Sequence, residues 1–323
     1  MKTARKPKVV GIGELLWDVL PTGARMGGAP ANFACHAQAL GANASVVSRV
    51  GDDDPGHQLV RNLRELGLSA AGIGVDPVHP TGTVEVKLGD DGQPHFTISR
   101  GVAWDHLVAD SHSLEMMKTA DAICFGSLGQ RSSTSRSAIR RLVTATPQDA
   151  FRIFDVNLRQ DYFTAELIHE SLGMANVCKL SDSELPVIAE LLGIDGDIDT
   201  QIARMIGIYQ LRVLVYTRGS GGSIVSDGKS RCEHPGFPAN VRDTVGAGDS
   251  FTATVAMGLL HGWPVDVISE TANAVASHVC SCEGAIPPMP EHLRKRFLRD
   301  ADVTEKSPIM TSAHPQDLEQ TIR

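Results

Sequence analysis

The chain has 323 residues, 21% of them charged, with 30 Lys and Arg against 38 Asp and Glu for a formal net charge of −8. That length suits one large α/β domain with a smaller appendage, and an acidic balance without a basic stripe argues against nucleic acid as a partner. No apolar stretch is long enough to span a membrane, the run after the basic start is broken by Gly11, Gly13, Glu14 and Asp18, and the six cysteines are scattered without a usable metal-ligand set, so a reducing, cytoplasmic compartment is expected.

In chain order, residues 9–13 read as a first buried strand, and 15–26 as short apolar pieces separated by Pro21 and Gly23. The corner Gly27-Gly28-Ala29-Pro30-Ala31-Asn32 opens a helix-compatible stretch at 32–40, before a strand at 44–50. Asn32 is suited to hydrogen-bond paired sugar hydroxyls, with Asp18 as an acceptor-only carboxylate nearby; two glycines making a turn before a helix account for the same residues. After a helical pattern at 58–66, residues 83–99 alternate apolar with polar about Gly89-Asp90-Asp91-Gly92, as a hairpin does. Together with 15–26 this predicts either a small sheet, open on one face, that closes over a ligand as a lid, or a plain surface hairpin.

Apolar runs at 122–125, 151–155, 176–180 and 213–216 then alternate with helical patterns at 135–143, 184–192 and 200–209. Strands alternating with helices predict a mostly parallel central sheet covered by helices on both faces. Asp155-Val156-Asn157-Leu158-Arg159 lies just past a strand, where open α/β sheets place ligands. Arg159 suits a phosphate or carboxylate, or simply pairs with Asp155. Thr217-Arg218-Gly219-Ser220-Gly221-Gly222 follows another strand and either approaches nucleotide phosphates or turns. Gly228-Lys229-Ser230 fails as a phosphate loop because the required glycine falls at Ser223, and Asp195, Asp197 and Asp199 fail as a calcium loop because Thr200 and Ile206 replace its Gly and Glu.

The most informative run is Asp243-Thr244-Val245-Gly246-Ala247-Gly248-Asp249-Ser250, followed by the helix-compatible apolar stretch 251–260. Small residues opening a helix aim backbone N–H groups at one anion, and the helix N-terminus adds a favourable partial charge. Phosphoryl transfer needs such positioning and charge stabilisation, with a carboxylate such as Asp249 to take the acceptor's proton. A glycine turn with Asp249 as helix cap explains the run equally when it stands alone.

Taken in order, the Gly27 to Asn32 corner with Arg49-Val50-Gly51-Asp52 downstream, and the Asp243 to Ser250 run, resemble the PfkB/ribokinase family of carbohydrate kinases over residues 8–290. Gly13-Glu14-Leu15-Leu16-Trp17-Asp18, Pro30-Ala31-Asn32-Phe33-Ala34 and Asn157-Leu158-Arg159-Gln160 resemble its bacterial fructokinase-type branch. The resemblance implies a ribokinase-like fold with an α/β domain at 1–13, 27–80 and 102–303, a β lid at 14–26 and 81–101, and a partly disordered tail at 304–323. It implies ATP-dependent phosphorylation of a sugar hydroxymethyl, fructose to fructose 6-phosphate, with ribose, 2-keto-3-deoxygluconate or a nucleoside as other acceptors, or a catalytically silent regulator as another role.

The same resemblance assigns residues. Asp249 is the base, with Gly246, Ala247 and Gly248 at the anion hole; Asp18, Gly27, Gly28, Asn32, Arg100 and Arg159 meet the sugar. Lys179, Ser181, Glu184, Thr217, Gly219, Gly222, Asn273 and Gly284 fall to ATP. Mg2+ is held through water by Glu184, and K+ by Asp243 and the carbonyl of Val245. The lid's open face admits a homodimer. Two departures stand out: Ser181-Asp182-Ser183-Glu184 has Ser where the family has Asn, and Arg100-Gly101-Val102-Ala103-Trp104-Asp105 inserts Trp before Asp, which leaves acceptor identity to Asp18, Asn32, Arg100 and Trp104.

Overall fold

A computed structural model describes residues 5–88 and 94–298; the Gly89 to Gly92 turn and the 304–323 tail lie outside the described residues. The strands are β1 (Lys8–Ile12), β2 (Leu16–Leu20), β3 (Gly23–Gly27), β4 (Asn43–Gly51), β5 (Ile73–Asp76), β6 (Gly82–Leu88), β7 (Pro94–Ile98), β8 (Ala122–Gly126), β9 (Phe151–Asp155), β10 (Val177–Ser181), β11 (Val213–Thr217), β12 (Ser223–Ser226) and β13 (Arg231–His234). The helices are α1 (Ala29–Ala39), α2 (Asp54–Glu65), α3 (Ser111–Lys118), α4 (Ser133–Ala145), α5 (Ala165–Met174), α6 (Glu184–Leu192), α7 (Ile198–Tyr209), α8 (Ala247–Leu260), α9 (Val265–Cys280) and α10 (Glu291–Leu298).

Nine strands form one sheet in the order β13-β12-β11-β10-β9-β8-β1-β4-β5, parallel from β5 through β11. The pleat sorts its apolar residues onto two faces with period two. Val9, Cys124, Ile153, Val213 and Val215 join one core with α1, α8 and α9, while Val10, Ile123, Phe125, Phe154, Leu214 and Tyr216 join the other with α4 to α7. Both faces are therefore covered, which is why the strands read as near-continuous apolar runs. Helix α1 begins at Ala29, three residues before the periodic stretch, because Pro30 is tolerated in a first helical turn.

β12 and β13 add an antiparallel hairpin at one edge. Its turn is the rejected phosphate-loop look-alike: Asp227 Oδ1 accepts from the N–H groups of Lys229 and Ser230 at 2.9 and 2.6 Å. Asp197 of the rejected calcium loop caps α7, accepting from the Thr200 N–H at 2.9 Å.

The second sheet has the order β3-β2-β6-β7. Leu16, Val84 and Ile98 pack against Val102, Trp104 and Leu128, which roots it beside the large sheet. Trp104 is 1% exposed in this root, under the Arg131 guanidinium at 3.9 Å, so its ring is packed at the base of the small sheet. β1 lies between β8 and β4, and the crevice at the carboxyl ends of the strands beside such a switch point is where open α/β sheets hold ligands. Among the described residues no helix is long and apolar enough to cross a membrane.

Candidate active site

Gly246 caps the N-terminus of α8; its φ of 78° is left-handed, and a Cβ there would collide with the Ala285 carbonyl. Only glycine makes this turn without strain. The opening turn of a helix leaves N–H groups without intrahelical partners, and its positive end favours an anion. Of the amides assigned to the anion hole, that of Ala247 already turns back to the Thr244 carbonyl at 3.3 Å. The Gly248 and Asp249 amides complete the first turn of the helix.

Asp249 faces α1. Its Oδ2 accepts from Asn32 Nδ2 at 2.8 Å, so the two motif residues meet in one hydrogen bond. Asn32 is placed by the Gly28 corner: its N–H bonds to the Gly28 carbonyl at 2.9 Å, and Gly28, at φ 109°, lies where a Cβ would strike the Glu14 carbonyl. Asn32 Oδ1 is buried with no protein partner, an acceptor ready for a hydroxyl.

Burial raises the Asp249 carboxyl above the ordinary aspartate value, against the Asn32 hydrogen bond and the charges of Lys179 and Arg159. Burial also pushes Asp18 on β2 up to about 6, with Arg159 pulling down and Asp249 pushing up. The Asp18 carboxylate lies where a Cβ at Gly27 would collide with it. Arg159 is exposed, yet its charge reaches Asp18, Asp249 and Glu14 together. Its guanidinium donates to the Leu158 carbonyl at 3.0 Å, while the ion pair of Asp155 is with Lys179.

Asp155 belongs to a buried support under the helix start. Its Oδ1 meets Lys179 Nζ at 3.0 Å and its Oδ2 accepts from the Thr252 hydroxyl at 2.7 Å. Lys179 Nζ lies 3.1 Å from where a Cβ of Gly248 would stand. Burial disfavours the ammonium, but the charges of Asp155 and Glu184 outweigh it and hold the Lys179 pKa above the usual lysine value. A fixed positive charge thus sits beneath the second residue of α8.

The nucleotide assignments cluster at the ends of β10 and β11. Glu184 is 7% exposed; its two oxygens accept the Leu158 and Ser181 N–H groups, each at 2.8 Å, and so tie the chain beyond β9 to the end of β10. The Ser181 hydroxyl meets that of Ser183 at 3.0 Å. Thr217 ends β11, and Gly219 and Gly222 bracket the tight turn into β12. Asn273 reaches this corner from α9, donating to Ser223 Oγ and the Ser269 carbonyl at 2.8 Å each. Gly284 donates its N–H to Asp243 Oδ2 at 3.0 Å, and Val245 donates to Oδ1 at 3.0 Å.

The sequence profile described as pfkB family carbohydrate kinase matches residues 13–292. The chain belongs to this family. It is 29% identical over 303 residues to the fructokinase of Solanum tuberosum, covering 87% of this chain and 92% of that one. Among solved structures it is similar to an uncharacterized sugar kinase from Pyrococcus horikoshii in complex with ATP, at 27% identity and a TM-score of 0.76, covering 86% and 94% of the two chains. The fold also matches fructokinase with bound ATP from Xylella fastidiosa, at 23% identity and a TM-score of 0.77 over 92% and 99% of the chains.

For this pfkB family kinase, three placements refine the residue-by-residue assignment. Arg100 donates to the Tyr162 hydroxyl at 2.9 Å, with Asp161 at 3.7 Å. Asn273 Nδ2 is engaged in helix-to-strand bonds, and Lys179 is 8% exposed beneath Gly248. Glu14 was not assigned a role from the sequence, although it lies two residues past β1 and is 2% exposed. Burial pushes its carboxyl up to about 7, with Asp249 raising it further and Arg159 opposing, and its Oε2 has no protein partner. A charged residue directly after a glycine at the end of a buried strand was the available signal.

Proposed function

We propose that this carbohydrate kinase transfers the γ-phosphoryl group of ATP to a hydroxymethyl group of a sugar, with fructose as acceptor and fructose 6-phosphate as product. The single observation that carries the reading is the Asn32–Asp249 hydrogen bond at the N-terminal turn of α8. It puts a hydroxyl-recognising amide and a proton acceptor side by side, at a helix end suited to an anion.

In this reading Asn32 Oδ1 and Asp18 accept from sugar hydroxyls, and Asp249 takes the proton of the reacting hydroxyl as its oxygen bonds to the γ-phosphorus. The bond from that phosphorus to the bridging oxygen breaks, ADP leaves, and the N–H groups of Gly248 and Asp249 with the Lys179 charge below them stabilise the equatorial oxygens. Thr217, Gly219 and Gly222 approach the nucleotide, while the β2, β3, β6 and β7 sheet excludes water. Magnesium, when bound, screens phosphate charge. Glu184, with one lone pair left on each bonded oxygen, is the carboxylate that would hold its water shell.

Fructose is favoured among acceptors by the fructokinases at 28–30% identity, of which the potato protein is one. The test is ADP release with ATP and magnesium against fructose, ribose, 2-keto-3-deoxygluconate and a nucleoside. Fructose should give the highest kcat/KM; another acceptor winning overturns the fructose assignment, and no turnover with any acceptor favours a silent regulator.

A further inference from the structure

Arg25 is paired with Asp18 across the β2–β3 ladder, so both side chains project from the same face of the small sheet, the face on which Asp18 meets the site. Its guanidinium reaches across to the loop before α8. Nη1 lies 3.6 Å from Asp243 Oδ2, Nη2 lies 3.9 Å from Glu283, and a Cβ at Gly284 would stand 3.6 Å from Nη1.

Asp243 anchors that loop. Its carboxylate holds the N–H of Val245 on one oxygen and that of Gly284 on the other, which fixes the approach to Gly246. A carboxylate so close to a phosphate-binding turn repels the phosphate unless a cation neutralises it. A potassium ion beside Asp243 and Val245 does not fit this arrangement. A guanidinium cation already lies on the Oδ2 side, 3.6 Å away, so a second cation there would be held against its charge.

We infer that Arg25 is a positioning residue that supplies the counter-cation for Asp243, in place of a free monovalent ion, so that this chain's anion hole is completed by its own lid. Phosphoryl transfer then requires no potassium, and the cation reaches the hole only when the small sheet lies over it. The pair is half exposed, so its strength falls as salt rises. The consequence for turnover rests on the kinase reading; the ion preference of the folded chain does not.

The test compares full-length wild type with Arg25→Ala and Arg25→Lys in potassium chloride and in choline chloride of equal ionic strength. The first readout is the thermal unfolding midpoint without substrate. Wild type and Arg25→Lys should melt alike in the two salts, while Arg25→Ala should gain roughly 3 °C in potassium at about tenfold saturation of the vacated site. The second readout is turnover with whichever acceptor is active: about a tenfold loss for Arg25→Ala in choline, recovered by potassium, against no potassium effect in wild type. A potassium-specific midpoint rise in wild type overturns the inference, as does an Arg25→Ala midpoint indifferent to the ion. Absence of turnover in every variant would count against the kinase reading alone, since the melting comparison stands without it.

Discussion

Asn32 Nδ2 donates to Asp249 Oδ2 at 2.8 Å, joining residues 217 positions apart and the first turns of two buried helices. One carboxylate oxygen is thereby held toward α1. Replacing Asp249 with Asn removes the base while keeping the shape, and should lower kcat by about 10²–10⁴-fold. Nucleotide affinity, measured by calorimetric titration of ATP, should hardly change; a variant with wild-type turnover would remove Asp249 from the chemistry.

Gly246→Ala introduces a left-handed non-glycine residue and a collision with the Ala285 carbonyl. Gly248→Ala meets only the end of the Lys179 side chain, at 3.1 Å. The expected order of kcat/KM for ATP is wild type, then Gly248→Ala, then Gly246→Ala, with the last also losing roughly 1–2 kcal/mol of stability from backbone strain. The reverse order in steady-state assays would show that the helix start does not carry phosphate recognition.

Lys179→Met leaves Asp155 buried with only the Thr252 hydroxyl for support. Breaking one side of a buried ion pair typically costs about 3–5 kcal/mol, because the surviving charge is uncompensated. Urea unfolding should register that loss, and Asp155→Asn added to Lys179→Met should recover part of it. No recovery would mean that the pair is not coupled.

His36 on α1 is buried, and burial lowers its pKa to about 4 while its Nε2 bonds to the Ala285 carbonyl. The unfolded chain binds the proton more readily than the folded one, so this contribution is complete above the unfolded value near 6.5 and is lost as pH falls toward 4. By pH 5 the loss amounts to about 2 kcal/mol. His36→Gln should flatten the pH dependence of urea unfolding between pH 7 and 5; an unchanged slope would place the acid sensitivity elsewhere.

Turnover should decline on the acid side, because Asp249 must be ionised to take a proton and burial raises its pKa. The Asp249 charge in turn raises the Glu14 carboxyl, which is protonated and uncharged below its value of about 7. Glu14→Gln should therefore leave the acid limb of kcat/KM in place. A limb moved to lower pH in the rate profile would show that an ionised Glu14 acts on the base.

The alternation of buried runs with helical patterns was enough to establish the parallel sheet, because strands covered on both faces must be apolar on both. The glycine corners were legible for a similarly local reason: Gly28 and Gly246 occupy conformations that a Cβ would strain. What each corner faces depends on long-range packing, which local pattern does not encode. Only the fold brought Asn32 to Asp249, gave Asp155 to Lys179 instead of Arg159, and buried Trp104 under Arg131. Arg25 looked like an ordinary strand residue until the small sheet carried it to Asp243, because a charge acquires its partner through the space the chain folds around and not through its neighbours in sequence.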